Sequence, residues 1–250
     1  MKEYNYKQLA EYYDIMELSA YENYEKVNNF LDKLFKEYNV KSVLDMTCGT
    51  GAQTISLKKK GYDVVGSDIS KDMLKFAESK SKELGIKYYH GDIRISIFGK
   101  FDAVIAIFNA IGHLSKKDFD KAVKNVNHNL KENGLFIFDI FNLEFMKKNF
   151  INYKFIDEAS ENNGKKFVRF NKNSLNYKNG IMKLNQETYI QDGLSKPKIY
   201  KEVWDMQLYS SNELKRLLEK NGFEVIGFFN SNREKLTDKD ISIYSVARKR

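Results

Sequence analysis

Apolar positions along the chain change their period several times, and each change marks an element. Between residues 7 and 38 they recur every three to four places, with Leu9, Tyr12 and Met16 followed by Val27, Phe30, Leu31, Leu34 and Phe35, which predicts helix. From Lys41 onward, short and nearly continuous apolar runs alternate with amphipathic stretches. Strand 41–46 precedes helix 51–60, which Gly61 closes after a basic last turn. Strand 62–67 precedes helix 71–84, with Ser70 as N-cap and Gly85 as stop. A short strand at 86–90 ends at Gly91-Asp92. Strand 102–108 leads to helix 116–131, with Ser115 as cap and Asn133-Gly134 as terminator, and strand 135–141 follows. Strands of this kind interleaved with helices imply a parallel sheet covered on both faces, which binds ligands outside the carboxyl ends of its strands.

The pattern then shifts to alternation over 165–172, 181–191 and 198–209, with the hairpin dipeptides Asn179-Gly180 and Asp192-Gly193 between the runs. Helix 211–221 and strands 223–230 and 241–247 restore the earlier rhythm. The expectation is a single α/β domain over 1–250: a Rossmann-like seven-stranded sheet, an N-terminal helical lid at 1–40, and an antiparallel β-meander cap inserted at 152–209.

Composition narrows this picture. An apolar share of 42% and an aromatic share of 14% over 250 residues support a real core. One cysteine, Cys48, excludes an internal disulfide and fits a reducing compartment. A polar N-terminus and the lack of any run of about 20 apolar residues lead us to expect a cytoplasmic protein with no membrane partner. The net charge of +8, 42 basic against 34 acidic residues, admits an anionic partner. Its lysines are scattered in pairs and triplets, as on solvated helix faces, so a nucleic-acid partner is not expected.

The chemistry concentrates after the first strand, at Val43-Leu44-Asp45-Met46-Thr47-Cys48-Gly49-Thr50-Gly51, with Asp68 after the second. An acid there suits ribose hydroxyls, and the glycine turn admits close approach to a ligand. A dinucleotide fingerprint would place a third glycine at Thr54, and Asp45 would repel a pyrophosphate. A sulfonium with an α-ammonium group suits that carboxylate better, which favours S-adenosylmethionine over a nicotinamide dinucleotide.

That block, together with Gly66-Ser67-Asp68-Ile69-Ser70, Tyr88-Tyr89-His90-Gly91-Asp92-Ile93, Phe108-Asn109-Ala110-Ile111-Gly112-His113-Leu114 and Asn133-Gly134-Leu135-Phe136-Ile137-Phe138-Asp139, resembles the class I S-adenosylmethionine-dependent methyltransferases. Among these it is most similar to the glycine and sarcosine methyltransferases and the amino-sugar N,N-dimethyltransferases. The resemblance covers most of residues 10–145. It implies S-adenosyl-L-methionine as cofactor and S-adenosyl-L-homocysteine as product. Thr47, Cys48, Gly49 and Gly51, with Asp45 before them, would form the cofactor turn. Asp68 would bind the ribose and Ile69 would pack on adenine. Asp92 would accept from the adenine amino group beside Ile93. The carbonyl of Ile107 or Phe108 would face the α-amino group, and Tyr13 would close over the methionine end. The family usually carries Gly or Ala where Thr47 stands, so Thr47 must keep a negative φ.

For the acceptor, an amine needs alignment and exclusion of water, whereas an alcohol wants a base within reach. His113 and Asn109, in the loop after the fourth strand, are the catalytic and substrate candidates. Arg169 is the stand-in for a site that binds an anionic group, and Tyr200 and Trp204, with Tyr189 and Tyr209, are candidates for an aromatic wall. The only proline, Pro197, excludes the proline-containing loop of DNA adenine methylation, and Cys48 is misplaced for cytosine C5 chemistry. The family's carboxylate-clamping arginine falls at Phe141 or Asn142, which disfavours glycine. No metal ligands are expected. The expected activity is methyl transfer to an amine or hydroxyl of a small molecule, a sugar or nucleotide-linked intermediate among the candidates. An RNA methyltransferase and a non-catalytic cofactor-binding module are the alternatives, and a homodimer is the one protein partner considered.

Overall fold

Seven strands lie in the order β10-β11-β5-β4-β1-β2-β3, with all neighbours parallel from β3 to β5 and β11 and β10 joining antiparallel. The strands are β1 (Ser42–Asp45), β2 (Asp63–Asp68), β3 (Lys87–His90), β4 (Phe101–Ala106), β5 (Leu130–Phe141), β10 (Phe223–Phe229) and β11 (Ser242–Lys249). The computed structural model describes residues 21–162 and 164–250. Tyr13 and the first part of the helix expected at 7–38 lie outside the described residues.

Helices cover both faces, as the apolar strands require. Helix α1 (Tyr21–Glu37) buries Val27, Phe30, Leu31, Leu34 and Phe35 with Leu57 of α2 (Ala52–Lys59) on one face. On the other face, α4 (Lys116–Asn129) contributes Phe119, Ala122, Val123 and Val126, and α6 (Ser211–Lys220) contributes Leu214 and Leu218. Helix α3 (Lys71–Lys80) starts at Ser70, whose side chain accepts from the Met73 N–H, and Ser115 caps α4 through the Asp118 N–H.

Several boundaries differ from the sequence expectation. The helix expected to run to residue 84 ends at Lys80, and Lys82–Leu84 form a separate 3-10 turn. The helix expected to run to residue 131 ends at Asn129. The Asn129 side chain is fully buried, donates to the Ser96 and Asn125 carbonyls and accepts from the Phe98 N–H. Leu130 is therefore already in β5, and Asn133-Gly134 form an irregularity within that strand rather than a helix stop.

The second sheet has four antiparallel strands, not three, in the order β6-β7-β8-β9. They are β6 (Phe155–Asn162), β7 (Lys165–Asn176), β8 (Ile181–Asp192) and β9 (Lys198–Gln207). Strand β6 and helix α5 (Leu143–Asn149) escaped the sequence pattern because both are short in buried apolar positions. Trp204, Met206 and Met182 of this sheet pack with Leu143 and Met146 of α5 in a third apolar cluster.

Candidate active site

Strand β1 has neighbours β2 and β4 on opposite sides, so the chain leaves the sheet in opposite directions around it and opens a crevice at the carboxyl ends. Met46 donates to the Ile105 carbonyl and Cys48 to the Ser67 carbonyl, pinning the turn after β1 to both neighbours. Gly49 and Gly51 take φ values of +53° and +88° there, which side-chain-bearing residues rarely adopt, and Thr47 keeps a negative φ, as expected. The turn rests on Tyr88 of β3. A Cβ at Gly66 would fall 2.5 Å from the Tyr88 ring, and one at Gly51 would fall 2.9 Å from its hydroxyl. That hydroxyl bonds Thr54 Oγ1 at 2.9 Å and accepts from Ser81 at 3.2 Å.

Asp68, at the end of β2, fixes the turn from the side. One carboxylate oxygen accepts from the Gly49 N–H and the other from the Ser70 N–H, each at 2.8 Å. Burial raises its pKa, and these two bonds oppose that rise. Asp68 lines the pocket together with Thr47, Cys48 and Gly49, and the exposed Ile69 side chain stands beside it. Burial pushes the Cys48 thiol far up, so it forms a wall and not a nucleophile.

Asp92 and Ile93 also reach the pocket. Both Asp92 oxygens bond the Arg94 guanidinium, at 2.5 to 3.0 Å, and one also accepts the Arg94 N–H. Burial acts against the charge, but these bonds prevail and hold the Asp92 carboxyl below the usual range. Asp45, in contrast, is absent from the pocket wall. It lies buried below the turn, accepts from the Thr47 N–H at 3.2 Å, and burial beside the Asp68 charge lifts it to about 7. Gly51 likewise shapes the turn without lining the pocket.

On the other side stand Ile107, Phe108 and His113, which follow β4. Burial pushes the His113 pKa down to about 4, so its imidazole is neutral at pH 7. Its ring meets Trp204 edge-on, with centroids 5.7 Å apart. Trp204 itself stays buried behind His113, off the pocket wall. Asn109 is buried too: its side-chain oxygen accepts from the Phe141 N–H, placing it under the loop rather than in the pocket. Arg169 is bound by Asp157 at 2.6 Å and, like Tyr200, does not line the pocket. Tyr189 packs on Phe170 and Tyr209 on Phe119, and neither lines the pocket.

Two participants escaped the sequence reading. Tyr24 of α1 lines the pocket with its ring 4.3 Å from Phe108, and its place in an amphipathic helix gave no signal beyond packing. Asp139 of β5 is buried and accepts the Asn109 N–H on both oxygens at 3.1 Å; burial raises it to about 7. A carboxylate inside an apolar strand was the available clue.

Among the described residues lining the pocket there is no Lys or Arg, while Asp68 and Asp92 both reach it. A pyrophosphate would find no cation, whereas an adenosine carrying a sulfonium and an ammonium fits; the buried Thr47 hydroxyl, without a partner, offers a further polar contact. No group of residues suited to a metal occurs among those described.

Comparisons with known proteins agree. The "Methyltransferase domain" family model matches residues 43–134. A glycine/sarcosine N-methyltransferase of Aphanothece halophytica is 30% identical over 234 residues, covering 88% of this chain and 80% of the relative. A dTDP-3-amino-3,6-dideoxy-α-D-glucopyranose N,N-dimethyltransferase of Streptomyces fradiae is 29% identical over 134 residues, 52% of each chain. A crystal structure of an S-adenosylmethionine-dependent methyltransferase from Clostridium acetobutylicum superposes with a TM-score of 0.83 at 23% identity, over 98% of both chains. The chain spans about half the length of several other curated relatives, 55%, 43% and 57%.

Proposed function

We propose that this chain, which belongs to the class I S-adenosylmethionine-dependent methyltransferases, methylates an amine of a small molecule that lacks a free carboxylate, with amino sugars as the favoured class. When bound, the cofactor supplies a methyl carbon made electrophilic by its sulfonium. Asp68 and the Gly49–Gly51 turn hold the adenosine side, while Phe108, Tyr24 and His113 bound the opposite side and keep water out.

His113 carries the choice of acceptor. An imidazole of pKa about 4 is too weak a base to activate a hydroxyl, yet as a neutral ring it can accept a hydrogen bond from an amine. A neutral amine needs no proton removed before it attacks. The lack of Lys or Arg in the described wall, with Arg169 held by Asp157, argues against glycine or another acceptor whose anionic group must sit in this pocket beside the amine. The diphosphate of a nucleotide-linked amino sugar would have to lie outside the wall. The two relatives named above methylate amines by their names, and one of them acts on an amino sugar. In this reading the second sheet is a cap over the acceptor, joined to the site through Trp204. An RNA acceptor is not favoured, because many lysines and arginines are locally paired, as in Lys116–Glu213, Lys131–Asp102 and Lys220–Asp120.

The test is a mass-spectrometric assay with S-adenosylmethionine and a panel of glycine, sarcosine, dTDP-3-amino-3,6-dideoxy-α-D-glucopyranose and transfer RNA. Methylated amino sugar is the expected product. Methyl transfer to a hydroxyl, to glycine or to the RNA overturns the proposal.

A further inference from the structure

We infer that Asp139 is a positioning residue for methyl transfer, the buried carboxyl group that holds the Phe108–Asn109 turn in the conformation that closes the pocket. Phe108 and Asn109 have φ values of +63° and +53°, two consecutive non-glycine residues in the left-handed region. Such a conformation persists only where the surroundings impose it. Here Asp139 supplies the constraint: both of its oxygens accept the Asn109 N–H at 3.1 Å. Asn109 then returns the link, accepting the Phe141 N–H on its side-chain oxygen at 3.0 Å, so the turn is tied twice to β5.

The consequence lies at the pocket wall. A left-handed Phe108 places its ring 4.3 Å from Tyr24, and both residues line the pocket. The following 3-10 turn, Ala110–His113, starts from Asn109, so the direction in which His113 enters the site depends on the same two dihedrals. Asp139 is only 4% exposed and does not line the pocket, so it acts through the backbone it holds. The inference rests on the use of this pocket and holds for any acceptor.

The experiment is a double-mutant cycle read by calorimetry with S-adenosylmethionine. Asp139→Asn, which replaces one acceptor with a donor facing an N–H, raises the dissociation constant about tenfold in the native background. Asn109→Gly supplies a residue that adopts positive φ without cost, so in that background Asp139→Asn weakens binding less than about threefold. An equal loss in both backgrounds reduces Asp139 to a core residue and overturns the inference, as does unchanged affinity in the first. Hydrogen exchange of the unmodified protein decides the matter should Asp139→Asn not fold. The Asn109 amide must exchange as slowly as those of β4, and rapid exchange there overturns the assignment.

Discussion

After β1 the chain enters the left-handed region at Gly49 and Gly51; after β4 it does so at Phe108 and Asn109. The first pair adopts these dihedrals without strain, because glycine lacks the Cβ that makes this region costly, and Asp68 then anchors the turn through the Gly49 N–H. The second pair needs Asp139, a carboxylate about thirty residues away on the next strand. The cofactor turn is thus specified largely by the residues within it, and the opposite wall by contacts across the sheet. The dihedrals of the first turn are cheap for the residues that adopt them, whereas those of the second are costly and depend on a partner across the sheet.

The largest expected effect tests the cofactor side. Asp68→Ala removes the acceptor of two backbone N–H groups and should weaken S-adenosylmethionine binding about a hundredfold in a calorimeter. Retained affinity would show that the glycines alone suffice. Next comes the support below the turn. Gly66→Ala drives a methyl group to 2.5 Å from the Tyr88 ring and should cost about 2 kcal/mol in urea unfolding. An unchanged midpoint would mean that Tyr88 moves freely and does not prop the turn.

On the acceptor side the expected loss is smaller. His113→Ala should lower turnover about tenfold while leaving cofactor affinity intact, because a neutral ring offers one hydrogen bond. Wild-type activity should also show no histidine titration between pH 6 and 9. A limb near the ordinary histidine value that His113→Ala abolishes would contradict the weak-base reading. One that persists in that variant belongs to another group such as Asp139, whose pKa is about 7.

The last test concerns Asp45 and reads stability against pH. Its folded pKa of about 7 lies above the ordinary 3.8, so the folded state binds the proton more tightly than the unfolded one between those values. Wild-type stability therefore declines, through this group, as pH rises from about 4 to 7, and is level above 7. Asp45→Asn should gain on the wild type across that window in thermal melts. A constant difference between the two proteins would place Asp45 in a charged, solvated setting.

These contrasts bear on how far the sequence could be read. The glycine turn and the Ser70 and Ser115 caps were legible because each acts within a few residues of itself, and Asp68 because an acid at the end of the second strand follows the alternating pattern. Asp92 was legible as a pocket residue, but not its bond to Arg94, since two residues of separation do not reveal where a guanidinium folds back. Asp45, Asn109, Arg169, Tyr200 and Trp204 were read for their chemical type. The fold turned Asp45 and Asn109 into supports, tied Arg169 to Asp157, seated Trp204 behind His113 and left Tyr200 off the wall.

By itself the sequence determined the alternating α/β order, the glycine turn after β1 and the acid after β2, and, through the missing third glycine at Thr54 and the family resemblance, the expectation of S-adenosylmethionine as cofactor. Periodicity and glycine dihedrals are properties of neighbouring residues, so a linear pattern records them. Only the tertiary structure decided that Asp139 reaches the β4 loop, that Tyr24 meets Phe108 and that His113 is buried enough to remain neutral. Those outcomes depend on desolvation and on contacts between distant strands and helices, which no local pattern in the chain encodes.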